Sequence, residues 1–295
     1  MDTCPHVRIT CTTCALRPLC LPPGLSCGEL LSAEHMVSTR LRVRRGGALY
    51  RTGDPFKSLY VVWLGCLKST VASEDAREQV IGFHMAGEMI GFDGVGAESH
   101  SCDMVALEDA EVCVIPYNRV EEAAELAPVL RKHFYALMGR EIVRQHELML
   151  MLGALRADER LATFLLDLSD RFDLRGYSSK EFVLRMSRAE IGSFLGLTLE
   201  TICRLLSQFV RDGLIGVQHA KTVTIADRER LGRLARRRKA ARPDRELAPA
   251  AAARPRTQEI GLPIPVIRTA RDRTPGDAPF RVPSTLRRTE AAMPA

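Results

Sequence analysis

The sequence predicts an α+β chain, with a small N-terminal β-roll followed by a long helix and a C-terminal winged helix-turn-helix. Three observations carry this. Short apolar strands broken by glycine turns run from Arg40 to Pro116, a helical repeat follows Asn118, and a capped pair of short helices surrounds Gly196. With 295 residues, 46% hydrophobic and 26% charged, the chain is long enough for two packed units and connecting segments.

Strands are expected at Leu41-Arg42-Val43, 59–62, 79–83, 104–107 and 112–115. Gly46-Gly47, Gly53-Asp54, Gly87-Glu88 and Gly94 supply the turns, and this spacing suits a small barrel or roll. Beyond Asn118 almost no glycine or proline interrupts the chain until Phe172. Tyr135, Met138, Ile142, Gln145, Met149 and Leu152 alternate three- and four-residue steps and so fall on one helical seam. Such a seam serves for pairing with a second copy or for packing on the chain's own roll, and pairing is the preferred reading. Gln145, polar among apolar neighbours, either weakens the pairing or sets its register.

Ser187-Arg188-Ala189-Glu190 has the Ser-x-x-Glu form of a capping box and starts a short helix with an apolar face at Ile191, Phe194 and Leu195. Gly196 ends it, and Thr198 caps a second helix over 199–211. Its stripe of Ile202, Leu205, Leu206 and Phe209 faces inward, leaving Glu200, Cys203, Arg204 and Ser207 outward. Two helices joined this way form a helix-turn-helix, whose second helix enters the major groove by its first turns. Arginine can donate twice to guanine and a carboxylate can accept from cytosine, so Glu200 and Arg204 suit base reading. Ser187, Arg188, Thr198, Thr201 and Cys203 complete the candidate DNA-contacting set. Residues 214–217 and 222–225 then form a hairpin wing around His219-Ala220, where Lys221 can meet phosphate.

The expected organisation is a cysteine-rich segment (1–30), the roll (31–118), a pairing helix (119–156), the winged unit (157–228) and a mostly disordered basic tail (229–295). The net charge of +6 belongs to that tail. It holds 16 Lys and Arg against 7 Asp and Glu, leaving 26 of the 42 basic and 29 of the 36 acidic residues in the first 228. DNA binding therefore rests on the motif. No run approaches a membrane span and the N-terminus lacks the apolar core of a secretion signal, so a cytoplasmic protein is expected.

Five of the nine cysteines, Cys4, Cys11, Cys14, Cys20 and Cys27, fall within the first 27 residues. In a reducing compartment such a group points to metal or redox chemistry before disulfides. Cys11-x2-Cys14-x5-Cys20 offers three soft ligands within ten residues, so an iron–sulfur centre would need a fourth from elsewhere. On spacing alone a static zinc site is equally open.

The stretch 186–206, with Ser187-Arg188-Ala189-Glu190-Ile191-Gly192 and Glu200-Thr201-Ile202-Cys203-Arg204, closely resembles the FNR branch of the CRP family. So does Gly82-Phe83-His84-Met85-Ala86-Gly87-Glu88 in the roll. The resemblance runs from about Cys11 to Ile225. It implies a roll of the cyclic-nucleotide-binding type, a dimerisation helix, and Glu200 and Arg204 as readers of a two-fold-symmetric site. It also implies Cys113, in Val112-Cys113-Val114-Ile115-Pro116, as fourth ligand of an oxygen-sensitive 4Fe-4S cluster, with Cys4 or Cys27 as possible substitutes. DNA, a second copy of the chain and RNA polymerase are the implied partners. The family's usual serine is replaced by Cys203, a weaker donor, read as inert in preference to an oxidation switch. No lysine or arginine lies between Gly87 and Asn118, so a cyclic nucleotide is not expected. A regulator controlled by thiol oxidation, zinc or haem is the nearer alternative. A metal or redox enzyme is the further one, though no nucleotide loop, Ser/His/Asp set or His-Glu-x-x-His is present, and His84 is read as a roll residue.

Overall fold

The computed structural model describes residues 11–72 and 78–235, so Cys4 and most of the basic tail lie outside the described residues. The roll is built from two four-stranded antiparallel sheets. One has the order β1 (Thr39–Val43), β8 (Ala110–Pro116), β3 (Ser58–Leu64), β6 (Met89–Ile90). The other has the order β2 (Ala48–Tyr50), β7 (Asp103–Ala106), β4 (Cys66–Ala72), β5 (Glu78–Met85). All five expected strands are present. β4 is absent from the sequence expectation because it buries Ser69 and Thr70 beside Leu67, which blurs the apolar alternation.

Helices α1 (Arg17–Cys20) and α2 (Cys27–Met36) precede the roll, and α2 is started by a capping box of Ser26 and Glu29. After the roll, the stretch expected as a single helix divides. α3 (Tyr117–Leu126) stops at Ala127, whose extended backbone (φ −131°, ψ 96°) is what a residue before proline favours. α4 (Pro128–Ala154) then starts with its proline at the first turn, where no amide donor is needed. The winged unit comprises α5 (Ala157–Asp173), β9 (Glu181–Val183), α6 (Arg188–Leu195), α7 (Leu199–Arg211), β10 (Ile215–Gln218), β11 (Thr222–Ile225) and α8 (Arg228–Ala235).

α8 corrects the tail boundary. Residues 229–235 are helical, Leu231 is fully buried, and Arg228 donates to Ser169 Oγ at 2.6 Å and pairs with Asp170. A single leucine among charged residues gives little signal in sequence, yet one fully buried leucine is enough to dock two turns of helix on α5.

Roll and winged unit share one core. Val80, Phe83, Met85 and Leu107 of the roll pack in the same cluster as Leu161, Phe164, Leu165, Ile191 and Leu195. Phe83, Phe164 and Phe194 form an aromatic triangle with centroids 5.2 to 6.0 Å apart. β5 is an edge strand, and α6 covers it: Ser193 Oγ accepts from Val80 N at 2.9 Å. Lys68 of β4 bridges Glu78 (3.1 Å) and Glu190 of α6 (3.2 Å).

Along α4, Tyr135, Ile142 and Met149 are exposed, joined by Val143 and Leu150, which the expected seam omitted. Met138, Gln145 and Leu152 flank this stripe half-buried, and Gln145 donates to Glu141 at 2.8 Å within its own helix. The apolar stripe is thus rotated slightly from the expected seam. Among the described residues no helix is long and apolar enough to cross a membrane.

Candidate nucleic-acid interface and cysteine site

The helix pair forms as its local chemistry dictates. Ser187 N donates to Glu190 Oε2 at 2.7 Å and Ser187 Oγ accepts from Glu190 N at 3.2 Å, closing the capping box. Gly196 takes the left-handed conformation (φ 62°) that a side chain would resist, and Thr198 Oγ1 accepts from Thr201 N at 3.2 Å to start α7. Ile202, Leu205, Leu206 and Phe209 are all buried.

This leaves a polar face at the start of α7. Glu200 and Arg204 are exposed and make no hydrogen bond or ion pair among the described residues. Ser187, Thr198 and Thr201 engage their hydroxyls in caps, Thr198 and Thr201 lying 2.8 Å apart. Cys203 is half-buried, and Arg188 Nη1 lies 3.4 Å from its sulfur, a contact the sequence did not suggest. Beside them β10 and β11 pair from Ile215↔Ile225 to Gln218↔Thr222. The three residues between them form the tip, where His219 and Ala220 both take positive φ and Lys221 is exposed.

The second site forms where the N-terminal segment meets the first sheet. Cys113 sits in the central strand β8, opposite Arg40 on one side and Val61 on the other, and its side chain is buried with Leu59, Val61 and Ile115. Cys11, Cys14 and Cys20 lie on the turns that lead through α1, each partly buried. Burial pushes the Cys20 thiol up to about 12, and Cys14, Cys113 and Cys11 all push it the same way. Cys11 rises to about 11 through burial, then Cys113 and Cys14. Cys113 is raised by burial first, with Arg40 opposing the rise and Cys14 adding to it. The four thiols are therefore electrostatic neighbours, although 93 residues separate Cys20 from Cys113. Cys27 is exposed at the start of α2, and Cys66 and Cys102 are buried in other clusters. Among the described residues no three His, Cys, Asp or Glu side chains are gathered tightly enough to hold a single ion.

A cation faces the thiols. Arg40 lies over the Trp63 ring at 4.0 Å and opposes the rise of both Cys11 and Cys113, the latter also through a hydrogen bond, while its buried Nε has no hydrogen-bond partner. Four soft donors beside an under-satisfied guanidinium suit a group that is anionic when thiolate-bound. Cys20 also reaches the long helix, since His133 of α4 donates from Nε2 to its carbonyl at 3.0 Å.

In the roll, the groups nearest the Gly87-Glu88 turn are engaged internally. Glu88 pairs with Arg171 and Arg175, at 2.9 and 2.6 Å. Asp93 accepts from Tyr50 Oη at 3.2 Å and Ser101 N at 2.9 Å, and the His100 ring stacks on Tyr50 at 3.5 Å. His84 is buried in β5 with Nε2 2.9 Å from Ser69 Oγ, and burial followed by Arg144 drives its pKa down to about 3, so it is neutral.

Comparison with known proteins agrees with this geometry. A Crp-like helix-turn-helix domain matches residues 159–234, and a cyclic nucleotide-binding domain matches residues 40–126. The transcriptional regulatory protein btr of Bordetella pertussis is 45% identical over 207 residues, 70% of this chain and 86% of that protein. The fumarate and nitrate reduction regulatory protein of Escherichia coli K12 is 39% identical over 227 residues, 77% of this chain and 90% of that protein. FixK2 from Bradyrhizobium japonicum, a solved structure, superposes with a TM-score of 0.63 at 32% identity, covering 67% of this chain and 97% of its own. The chain belongs to the CRP/FNR family of DNA-binding transcription regulators, on the FNR-type side of that family.

Proposed function

We propose that the protein is a cytoplasmic, oxygen-responsive regulator that binds a two-fold-symmetric FNR-type DNA site as a homodimer while a 4Fe-4S cluster is held by Cys11, Cys14, Cys20 and Cys113. The observation that carries the proposal is the electrostatic interaction of Cys113 with the three N-terminal thiols across more than 90 residues of chain, next to Arg40, whose Nε is buried without a hydrogen-bond partner. When bound, the cluster supplies four thiolate bonds tying the N-terminal segment to the roll, and oxygen can break them. The chain's own residues do the rest. Cys20 and Leu21 line one cavity with Leu130, His133, Phe134 and Leu137 of α4, and His133 bonds the Cys20 carbonyl, so the position of the segment bears on the helix whose apolar stripe pairs two copies.

Pairing fixes the spacing of two α7 helices at about one DNA turn, ~34 Å. Arg204 then donates to guanine and Glu200 accepts from cytosine. Arg188, Thr198, Thr201, Ser187 and Cys203 border the contact, and Lys221 reaches the backbone from the wing. RNA polymerase is the partner at a controlled promoter. A cyclic nucleotide is not the proposed signal: residues 87–118 carry no lysine or arginine, and the arginines that reach the Gly87-Glu88 turn from α4 and from α5 and the residues just past it are taken up by Glu88 and backbone carbonyls.

The test is DNA affinity of full-length protein purified without air, measured before and after exposure to oxygen. Loss of specific binding together with loss of visible absorbance supports the proposal. Colourless, zinc-containing protein that binds DNA equally in both conditions refutes the cluster, and oxygen-sensitive binding that persists without iron favours thiol oxidation.

A further inference from the structure

The turn between β5 and β6 is held from two sides by parts of the chain far apart in sequence. On one side are arginines of the helices. Arg171 of α5 donates from Nη2 to the Phe83 carbonyl at 2.6 Å and to both Glu88 oxygens at 2.9 Å, and its Nε lies 3.2 Å from Oε1. Arg175, just past α5, donates from Nη2 to Glu88 Oε1 at 2.6 Å and from Nε to the Ala86 carbonyl at 2.7 Å. Arg144 of α4 adds a longer contact, 3.5 Å from Oε2. The Arg171 and Arg175 side chains are only 11% and 6% exposed, so these pairs are shielded from water and removing one partner leaves buried charge uncompensated.

On the other side is the cysteine segment. Gly87 takes a φ of +87°, and a Cβ there would lie 2.7 and 2.8 Å from Leu19 side-chain atoms, so Leu19 rests directly on the glycine. The Cys20 thiol points to the Gly87 carbonyl, with sulfur 3.9 Å away. The segment and α5 thus grip adjacent residues of one tight turn, in which Glu88 N also donates to Met85 O at 3.1 Å.

We infer that the 85–88 turn is a relay: displacement of Leu19 and Cys20 shifts Gly87, and Glu88 passes that shift through Arg171 and Arg175 to α5 and the winged unit that α5 begins. Glu88, Arg171 and Arg175 are then positioning residues for DNA binding, acting at a distance from the recognition helix. Burial raises the Glu88 carboxyl, but Arg171, Arg144 and Arg175 outweigh it and hold it near 2, so the clasp is ionic at neutral pH. A rotation of α5 carries α6 with it through Phe164 and Phe194, whose rings are 5.7 Å apart. The shorter bonds of Glu88 lead to α5, whereas the contact of His133 with Cys20, like the longer one of Arg144 with Glu88, addresses α4. The mechanical link stands without any cofactor; that oxygen moves the segment rests on the cluster proposed above.

A double-mutant cycle on metal-free, reduced, full-length protein tests the link, with hydrogen exchange of the 157–173 amides as readout. Leu19→Ala is expected to speed that exchange about threefold or more in the parent and by less than about twofold in a Glu88→Gln background. The same factor in both backgrounds, or no effect in the parent, overturns the relay. Should Glu88→Gln fail to fold, Arg175→Lys, which keeps the charge and loses the fork, takes its place with the same expectation. In anaerobically prepared Arg175→Lys protein, unchanged visible absorbance with a collapsed ratio of anaerobic to aerobic DNA affinity supports the relay, and an unchanged ratio overturns it. If the parent carries no colour, the cluster assignment fails, while the exchange cycle still decides the relay.

Discussion

Arg204→Lys isolates base reading from charge. Arg204 is exposed on α7 and makes no contact among the described residues, so its replacement removes nothing from the fold. Lysine keeps the positive charge and the helix propensity but has no planar fork. One bidentate contact to guanine discriminates by about 1 to 3 kcal/mol, and a symmetric dimer makes it twice, giving about 2 to 6 kcal/mol. That corresponds to a loss of about 30-fold to about 10⁴-fold on the specific site. Fluorescence anisotropy with a symmetric duplex and a scrambled one, at fixed salt, measures both. Specific affinity should fall in that range, scrambled-site affinity should stay within about twofold, and the melting temperature should not move. An equal fall on both duplexes, or a specific loss under about threefold, refutes the assignment of Arg204 as a base reader.

Three further outcomes follow from the packing. Ile142→Glu sets two carboxylates against each other across the α4 stripe at a cost of several kcal/mol, so sedimentation should show monomer; persistent dimer contradicts the pairing face. Leu231→Ala empties a fully buried site on α8 and should cost about 2 to 5 kcal/mol in urea unfolding, whereas under about 0.5 kcal/mol would return α8 to the tail. Glu88 has a folded pKa near 2 against an ordinary 4.5, so its stabilisation is complete above 4.5 and is lost as pH falls toward 2. The stability gap between parent and Glu88→Gln should therefore hold from pH 7 to about 5 and close below 4.5, and a gap that widens on acidification contradicts the clasp.

Local chemistry was legible in the sequence, and long-range chemistry was not. The Ser187/Glu190 box, Gly196 and the Thr198 cap each act within four residues, and the structure forms all three. Strands with apolar alternation were equally readable, while β4, with Ser69 and Thr70 buried beside Leu67, was not. The expected helix over 119–156 ran through Pro128, and its division into α3 and α4 is seen only in the extended backbone of Ala127. Cys113 illustrates the limit for the site. A lone cysteine in a strand is ordinary core material, and only family resemblance singled it out; its charge interaction with Cys11 and Cys20 crosses more than 90 residues and leaves no local pattern. Likewise Glu88 and its arginines are 56 to 87 residues apart and belong to no local pattern. Val143 and Leu150 were missed because the expected seam kept a strict coiled-coil period, whereas the exposed stripe on α4 is wider.

The most direct test of the central claim is the iron and acid-labile sulfide content of anaerobically prepared protein in the parent, Cys113→Ala and Cys27→Ala forms. About four iron and four sulfide per chain are expected in the parent and in Cys27→Ala, with both lost in Cys113→Ala. A Cys113→Ala protein that keeps the full complement, or a parent that holds zinc in place of iron and sulfide, would contradict the account.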